Sequence, residues 1–227
     1  METIHELNCN GRVWRRGILS KAEIKELTKL SDVGVKPGMR LEYTKELSSF
    51  FGPKSSIGEV IGELGFDTTP VRLVAFNKTD KANWSVPWHQ DRVVAVAQKA
   101  DANGYSNWVA KPGFWHCEAP ESLLKEMVFV RIHLDDSTRE NGPLELAIGS
   151  HRHGRISASD ASAIANSCAI ESCDAASGDV LIVHALTLHR SSSAAVPTAR
   201  RTLRVDFAKR IYLSPQLQWA INTSASV

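Results

Sequence analysis

Val86-Pro87-Trp88-His89-Gln90-Asp91 is the stretch around which the chain is organised. His89 and Asp91 lie two residues apart, so on a strand both side chains leave the same face. An imidazole beside a carboxylate supplies two of the three ligands of the 2-His-1-carboxylate triad, which leaves iron(II) three open positions. Such a triad needs a second histidine from a strand distant in sequence. Strand-like runs stand on both sides of the stretch, at Val71-Arg72-Leu73-Val74-Ala75-Phe76 and Val93-Val94-Ala95-Val96. More follow at 127–134, 144–147, 180–188 and 202–207, with Asn141-Gly142-Pro143 as a tight turn. Helices are few, and there is no βαβ rhythm. The pattern predicts a mainly β fold with flanking helices, closed or sandwiched and antiparallel.

At 227 residues the chain is expected to form one domain, 1–227, large enough for a full core. A hydrophobic fraction of 43% and a charged fraction of 23% are those of a globular protein. The net charge of +2 gives no electrostatic case for nucleic acid or an acidic membrane. No apolar run reaches the ~18 residues of a membrane span, and the first residues lack the pattern of a signal peptide. Cys9, Cys117, Cys168 and Cys173 form no C-x-x-C pair and read as free thiols. A cytoplasmic monomer or homodimer is the expectation.

Residues 1–69 are expected to be a helical scaffold. Ser20-Lys21-Ala22-Glu23 has the form of a capping box before Ile24, Leu27 and Leu30. Ser55-Ser56 caps a second helix through Ile57, Val60, Ile61 and Leu64, closed by Gly65. The β core is expected at 70–207. Residues 97–125 hold turn residues and aromatics in place of an apolar rhythm, and are expected to form either a substrate lid or loop, or a packed excursion whose aromatics fill a minor core. Trp84, Trp88, Trp108 and Trp115 flank the metal stretch on both sides.

The second histidine is either His184 or His189. His184 has the opposite parity on its strand, and nothing polar follows it. His189 precedes Arg190-Ser191-Ser192-Ser193, a sharp exit that suits a ligand at a strand end. His151 and His153, beside Arg152 and Arg155, read as a solvated turn. The last strand alternates: Arg201, Leu203, Val205 and Phe207 on one face, Arg200, Thr202, Arg204 and Asp206 on the other. A polar face is ordinarily solvated, but in a barrel it can line a ligand cavity. There an arginine offers a carboxylate two parallel donors.

Trp88-His89-Gln90-Asp91, the run from Leu134-Asp135-Asp136 to Glu140-Asn141-Gly142-Pro143-Leu144, Gly149-Ser150-His151, Gly178-Asp179 and His189-x-Ser191 together resemble the phytanoyl-CoA dioxygenase family. The likeness covers about residues 70–207. It implies a double-stranded β-helix, a jelly-roll of cupin-like form, and an oxygenase using iron(II), 2-oxoglutarate and O2. It assigns His89, Asp91 and His189 to the metal, Arg200 to the distal carboxylate of 2-oxoglutarate and Ser191 as its helper. Two positions depart from the family pattern. Arg131 stands where a tryptophan near the cosubstrate is usual, and Ile148 replaces a proline before Gly149. Arg131 is therefore expected to face inward beside the cosubstrate, with His133 and Arg204 sharing that interior. Trp88, Trp108, Trp115, His133 and Arg204 are the expected substrate contacts. Arg131 and Arg204 call for an anion to offset them: Asp206, Glu145 or an acidic group on a small-molecule substrate. With Asp91 present no place is left for a halide, so the expected outcome is hydroxylation, with release of succinate and CO2. The alternatives are a cupin-like zinc or nickel enzyme that does not use 2-oxoglutarate, and a non-catalytic β-barrel binding module.

Overall fold

The structure, a computed structural model, describes residues 2–221 apart from Val35, Thr68 and Pro197. The first third runs α1 (Glu2–Asn10), β1 (Arg12–Arg15), α2 (Lys21–Leu30), β2 (Gly38–Arg40), α3 (Lys45–Ser48) and α4 (Ser56–Glu63). Then come β3 (Pro70–Lys78), β4 (Val86–His89), β5 (Val93–Val96), β6 (Ser106–Lys111), β7 (Phe114–Glu118), α5 (Glu121–Leu124) and β8 (Met127–His133). The chain closes with β9 (Leu144–Ala147), α6 (Ala161–Asn166), β10 (Ile170–Ser172), β11 (Val180–His184), β12 (His189–Ser191) and β13 (Arg200–Ala208). The strands form a six-stranded sheet, β1-β11-β8-β13-β3-β2, a four-stranded sheet, β10-β9-β12-β4, and a three-stranded sheet, β5-β7-β6. Among the described residues every strand pairing is antiparallel, and the fold is a double-stranded β-helix.

Alternation decides which face of the large sheet is core. Leu73 and Ala75 of β3, Val128, Val130 and Ile132 of β8, and Leu203, Val205 and Phe207 of β13 all leave one face. They pack on Leu27 of α2, Leu47 of α3, and Ile57 and Ile61 of α4. Each fully buried aliphatic side chain here stabilises the fold by about 1.5–3 kcal/mol. The helices are held in place for that contact by their caps. Ser20 Oγ accepts from the Glu23 amide, and the Glu23 carboxylate accepts from the Ser20 amide at 2.8 Å. Ser55 Oγ accepts from the Gly58 amide at 3.0 Å. The opposite face of the same strands carries Arg72 and Lys78, Phe129, Arg131 and His133, and Arg200, Thr202, Arg204 and Asp206. That polar face lies inside the β-helix.

Two segments differ from expectation. Residues 1–69 are not helical throughout: β1 pairs with β11 and β2 with β3, so they supply both edges of the large sheet. Four- and three-residue edge strands carry too little periodicity to be seen in sequence, because their partners lie far along the chain. Residues 97–125 are not an irregular loop either. β6 and β7 form a hairpin across Pro112-Gly113, where Gly113 has φ +80°, and β7 pairs with β5 directly after the metal stretch. Among the described residues, no helix is long and apolar enough to cross a membrane.

Candidate active site

β4 ends at His89 and β12 begins at His189, and the two are direct partners in the ladder. Their rings are 4.2 Å apart between centroids. Asp91, two residues past His89, completes a cluster whose ligand atoms all lie within 4.8 Å of one another. His189 Nε2 is 3.1 Å from Asp91 Oδ2. Each imidazole is oriented by the backbone two residues before it: His89 Nδ1 meets Pro87 O at 2.8 Å, and His189 Nδ1 meets Thr187 O at 3.0 Å. A ring nitrogen facing a carbonyl carries the hydrogen, so both Nε2 atoms are left with free lone pairs. Two neutral imidazoles and one carboxylate fit a divalent first-row metal. Gln90 pins the turn between the ligands, donating to Gly154 O and Leu186 O at 2.8 Å and accepting from the Ile156 amide at 2.9 Å. His184 is not part of the cluster. It packs against His151 with ring centroids 4.9 Å apart and accepts from the Leu186 amide. The reading of His151 as a solvated residue is corrected: it is buried, with Nε2 3.0 Å from Asn8 O.

Asp91 also belongs to a buried ion network. Arg204 donates through Nη1 to Asp91 and through Nε to Asp206, each at 2.7 Å, and Arg72 Nε donates to Asp206 at 2.6 Å. Burial alone pushes the Asp91 carboxyl up. Arg204, His189 and Arg72 outweigh it and hold the group well below the usual carboxylate range. Of the two carboxylates expected to offset Arg204, Asp206 does so and Glu145 does not. Glu145 takes Arg190 instead, at 2.8 Å.

Deeper along the inner face stand three cations with no carboxylate partner among the described residues. Arg200 is buried, with Nε and Nη1 free of any hydrogen bond. Its pKa is lowered to about 10 by that burial. Lys78, its cross-strand partner, is fully buried, reaches Ser191 Oγ at 3.3 Å and donates to Ser192 O. Burial, then Arg200 and Arg131, lower Lys78 to about 8. A side chain at Gly142 (φ +69°) would stand 2.5 Å from Ser192 O and 2.9 Å from Lys78 Nζ, so this turn requires glycine. Arg131 is 8% exposed with Nε unpartnered, and burial, then Arg200, lower it to about 9. A cavity lined by His89, His189, Arg131, Arg200, Arg204 and Ser191 joins this cationic end to the metal ligands.

The other expected substrate contacts do not line that cavity. Trp88 is buried against Ala147, Ile156 and Leu188, with Arg190 4.7 Å above its ring. Trp108 and Trp115 pack edge to face beside Val94, Val96 and Leu186, where they secure the hairpin. His133 has the inward parity expected of it, but its ring stacks on Trp14 and its Nδ1 meets Asp179 O at 3.2 Å. Burial and Arg131 lower it to about 3, so it is neutral. Lys78 was missed, although a signal existed: residues 72, 74, 76 and 78 share one parity, opposite to the apolar Leu73 and Ala75.

A family model described as Phytanoyl-CoA dioxygenase (PhyH) matches residues 53–202. No curated protein sequence matches the chain. Among solved structures, EctD from S. alaskensis with bound Fe is similar at TM-score 0.67 and 14% identity, over 93% of this chain and 77% of that one. AviO1 from Streptomyces viridochromogenes Tue57 is similar at TM-score 0.64 and 15% identity, over 94% and 96%. The non-heme alpha ketoglutarate dependent epimerase SnoN from nogalamycin biosynthesis is similar at TM-score 0.63 and 13% identity, over 92% and 81%.

Proposed function

This chain belongs to the phytanoyl-CoA dioxygenase family of iron(II)- and 2-oxoglutarate-dependent oxygenases, and from that premise we propose that it hydroxylates a C–H bond of a small-molecule substrate. The observation that carries the reading is the shared orientation of three side chains. Both Nδ1 atoms are committed to backbone carbonyls, which leaves both Nε2 atoms free, and His89, His189 and Asp91 each offer a ligand atom within 4.8 Å of the others. His89, His189 and Asp91 would hold iron(II) there. When bound, the metal with 2-oxoglutarate and O2 supplies an oxidant able to take hydrogen from an unactivated C–H bond, with release of succinate and CO2. The protein's part is to position and to exclude. Arg200 presents two unused donors to the distal carboxylate, and Lys78 and Ser191 close on the same acid group. Asp91 fills the ligand position that a halide would need, which favours hydroxylation. The hairpin of β6 and β7 is tied to the metal stretch by Arg92 and Glu118, whose charged atoms are 3.1 Å apart, and we assign it to closing over the substrate.

Anaerobic titration of the iron(II) protein with 2-oxoglutarate tests the core of this. A visible charge-transfer band is expected, and a protein that binds iron but gives no such band is not this enzyme. Arg200→Ala removes one side of a buried charge-assisted pair, worth about 3–5 kcal/mol, and is expected to weaken oxoglutarate binding at least about a hundredfold. Arg201, on the other face and bonded to Asp135 at 2.6 and 2.8 Å, should tolerate the same change. Shortening the hairpin tip at Pro112-Gly113 should raise the KM of the substrate found by succinate release and leave oxoglutarate binding alone. A weakened oxoglutarate complex in that variant counts against the lid.

A further inference from the structure

The charges around the cavity do not balance once the cosubstrate is placed. Arg72 and Arg204 cancel Asp91 and Asp206, two positive charges against two negative. Lys78, Arg131 and Arg200 remain on the cavity without a carboxylate among the described residues, and Arg40, beside Arg72 and also without one, adds a further cation outside the cavity lining. A divalent metal adds two positive charges and 2-oxoglutarate removes two, so the loaded site still carries a surplus of at least about three. O2 is neutral and cannot offset it. Arginine is seldom fully buried without a partner, and these guanidiniums oppose each other.

The surplus centres on Arg131. The cosubstrate has two acid groups: on the proposed reading its keto acid end would go to the metal, and its distal carboxylate to Arg200, Lys78 and Ser191. No acid is left for the third cation. Arg131 lies directly across the ladder from Arg204, the residue that holds Asp91, and so sits on the metal side of Arg200. It lines the same cavity as His89 and His189. Its side chain makes no hydrogen bond or ion pair with any described residue, and its Nε is buried without a partner. We propose that the primary substrate is an acid, and that Arg131 receives its carboxylate or phosphate group while the reacting C–H faces the metal. This rests on the oxygenase reading and adds the substrate class to it.

The test uses the iron(II) protein saturated with 2-oxoglutarate, without O2, so that Arg200 is already occupied. Propanoate, benzoate and methyl phosphate are titrated against propanamide and benzamide, reading the shift of the charge-transfer band. The acids are expected to bind the native protein at least tenfold more tightly than the amides. The arm that shows the preference, carboxylate or phosphate, names the group. Arg131→Met should abolish the preference while changing oxoglutarate affinity less than threefold. Arg131→Gln, which keeps polarity without charge, should do the same if the methionine variant fails to fold. Arg131→Lys should recover part of the preference. Acids and amides binding alike overturns the inference. So does a tenfold loss of oxoglutarate affinity in Arg131→Met, which makes the arginine a cosubstrate group. A native protein with no oxoglutarate band overturns the oxygenase reading as well; a normal band without acid preference overturns this inference alone.

Discussion

Lys78 ends β3 with its ammonium fully buried between Ser191, Ser192 O and the guanidinium of Arg200. In an unfolded chain a lysine titrates near about 10.4. Here burial, then Arg200 and Arg131, lower it to about 8. Between those values the unfolded chain holds a proton that the folded chain has released, so stability rises with pH from about 8 to about 10. The cost of the charged lysine is fully present below pH 8. Cosubstrate binding runs the other way, because an anion prefers the protonated form. Oxoglutarate affinity is therefore expected to fall as pH climbs through 8, with a Kd about tenfold weaker at pH 9 than at pH 7. Lys78→Met should bind more weakly and show a flat profile. A slope that survives in that variant places the titration elsewhere.

At the scale of the strand, the polar face of β13 reads two ways in sequence, towards solvent or towards a cavity. The residues themselves do not choose. Pairing with β8 and β3 does, because helices α2 to α4 cover the apolar face and leave Arg200, Thr202, Arg204 and Asp206 inside. The capping serines, the parity of β13 and the pair His89 and Asp91 were legible because each depends on spacing along one short stretch. The parity of Lys78 was legible in the same way, but its contact with Ser191, the edge strands β1 and β2 and the burial of His151 were not, since each depends on a partner more than thirty residues away. The ion network inside β13 has a measurable weight. Arg204→Leu leaves Asp91 and Asp206 buried without their shared partner and should destabilise the protein by about 3–5 kcal/mol. Arg190→Leu breaks a more exposed pair with Glu145 and should cost at most about 1 kcal/mol. Denaturant midpoints of the two variants decide it, and equal losses would mean that the network carries no special load.

The two sets of polar residues around the cavity stand on different sheets. His89 and His189 belong to the four-stranded sheet, while Lys78, Arg131, Arg200 and Arg204 belong to the six-stranded one. Asp91 already reaches across, through Arg204. A metal chelated by 2-oxoglutarate, with its distal acid on Arg200, would connect the sheets a second time and offset part of the cationic repulsion. Ligands that bind the folded state alone stabilise it by about 2.7 kcal/mol at a hundredfold excess over Kd. For a domain of this size that is about 5–10 °C in Tm. Manganese(II) with 2-oxoglutarate, which is redox-quiet in air, should give that increase, manganese alone a smaller one, and 2-oxoglutarate alone little. Arg200→Ala should keep the metal increment and lose the cosubstrate increment, whereas Asp91→Ala should lose both. If 2-oxoglutarate stabilises Asp91→Ala as much as it does the native protein with metal, the acid binds without the triad, and the link between the sheets does not run through the metal.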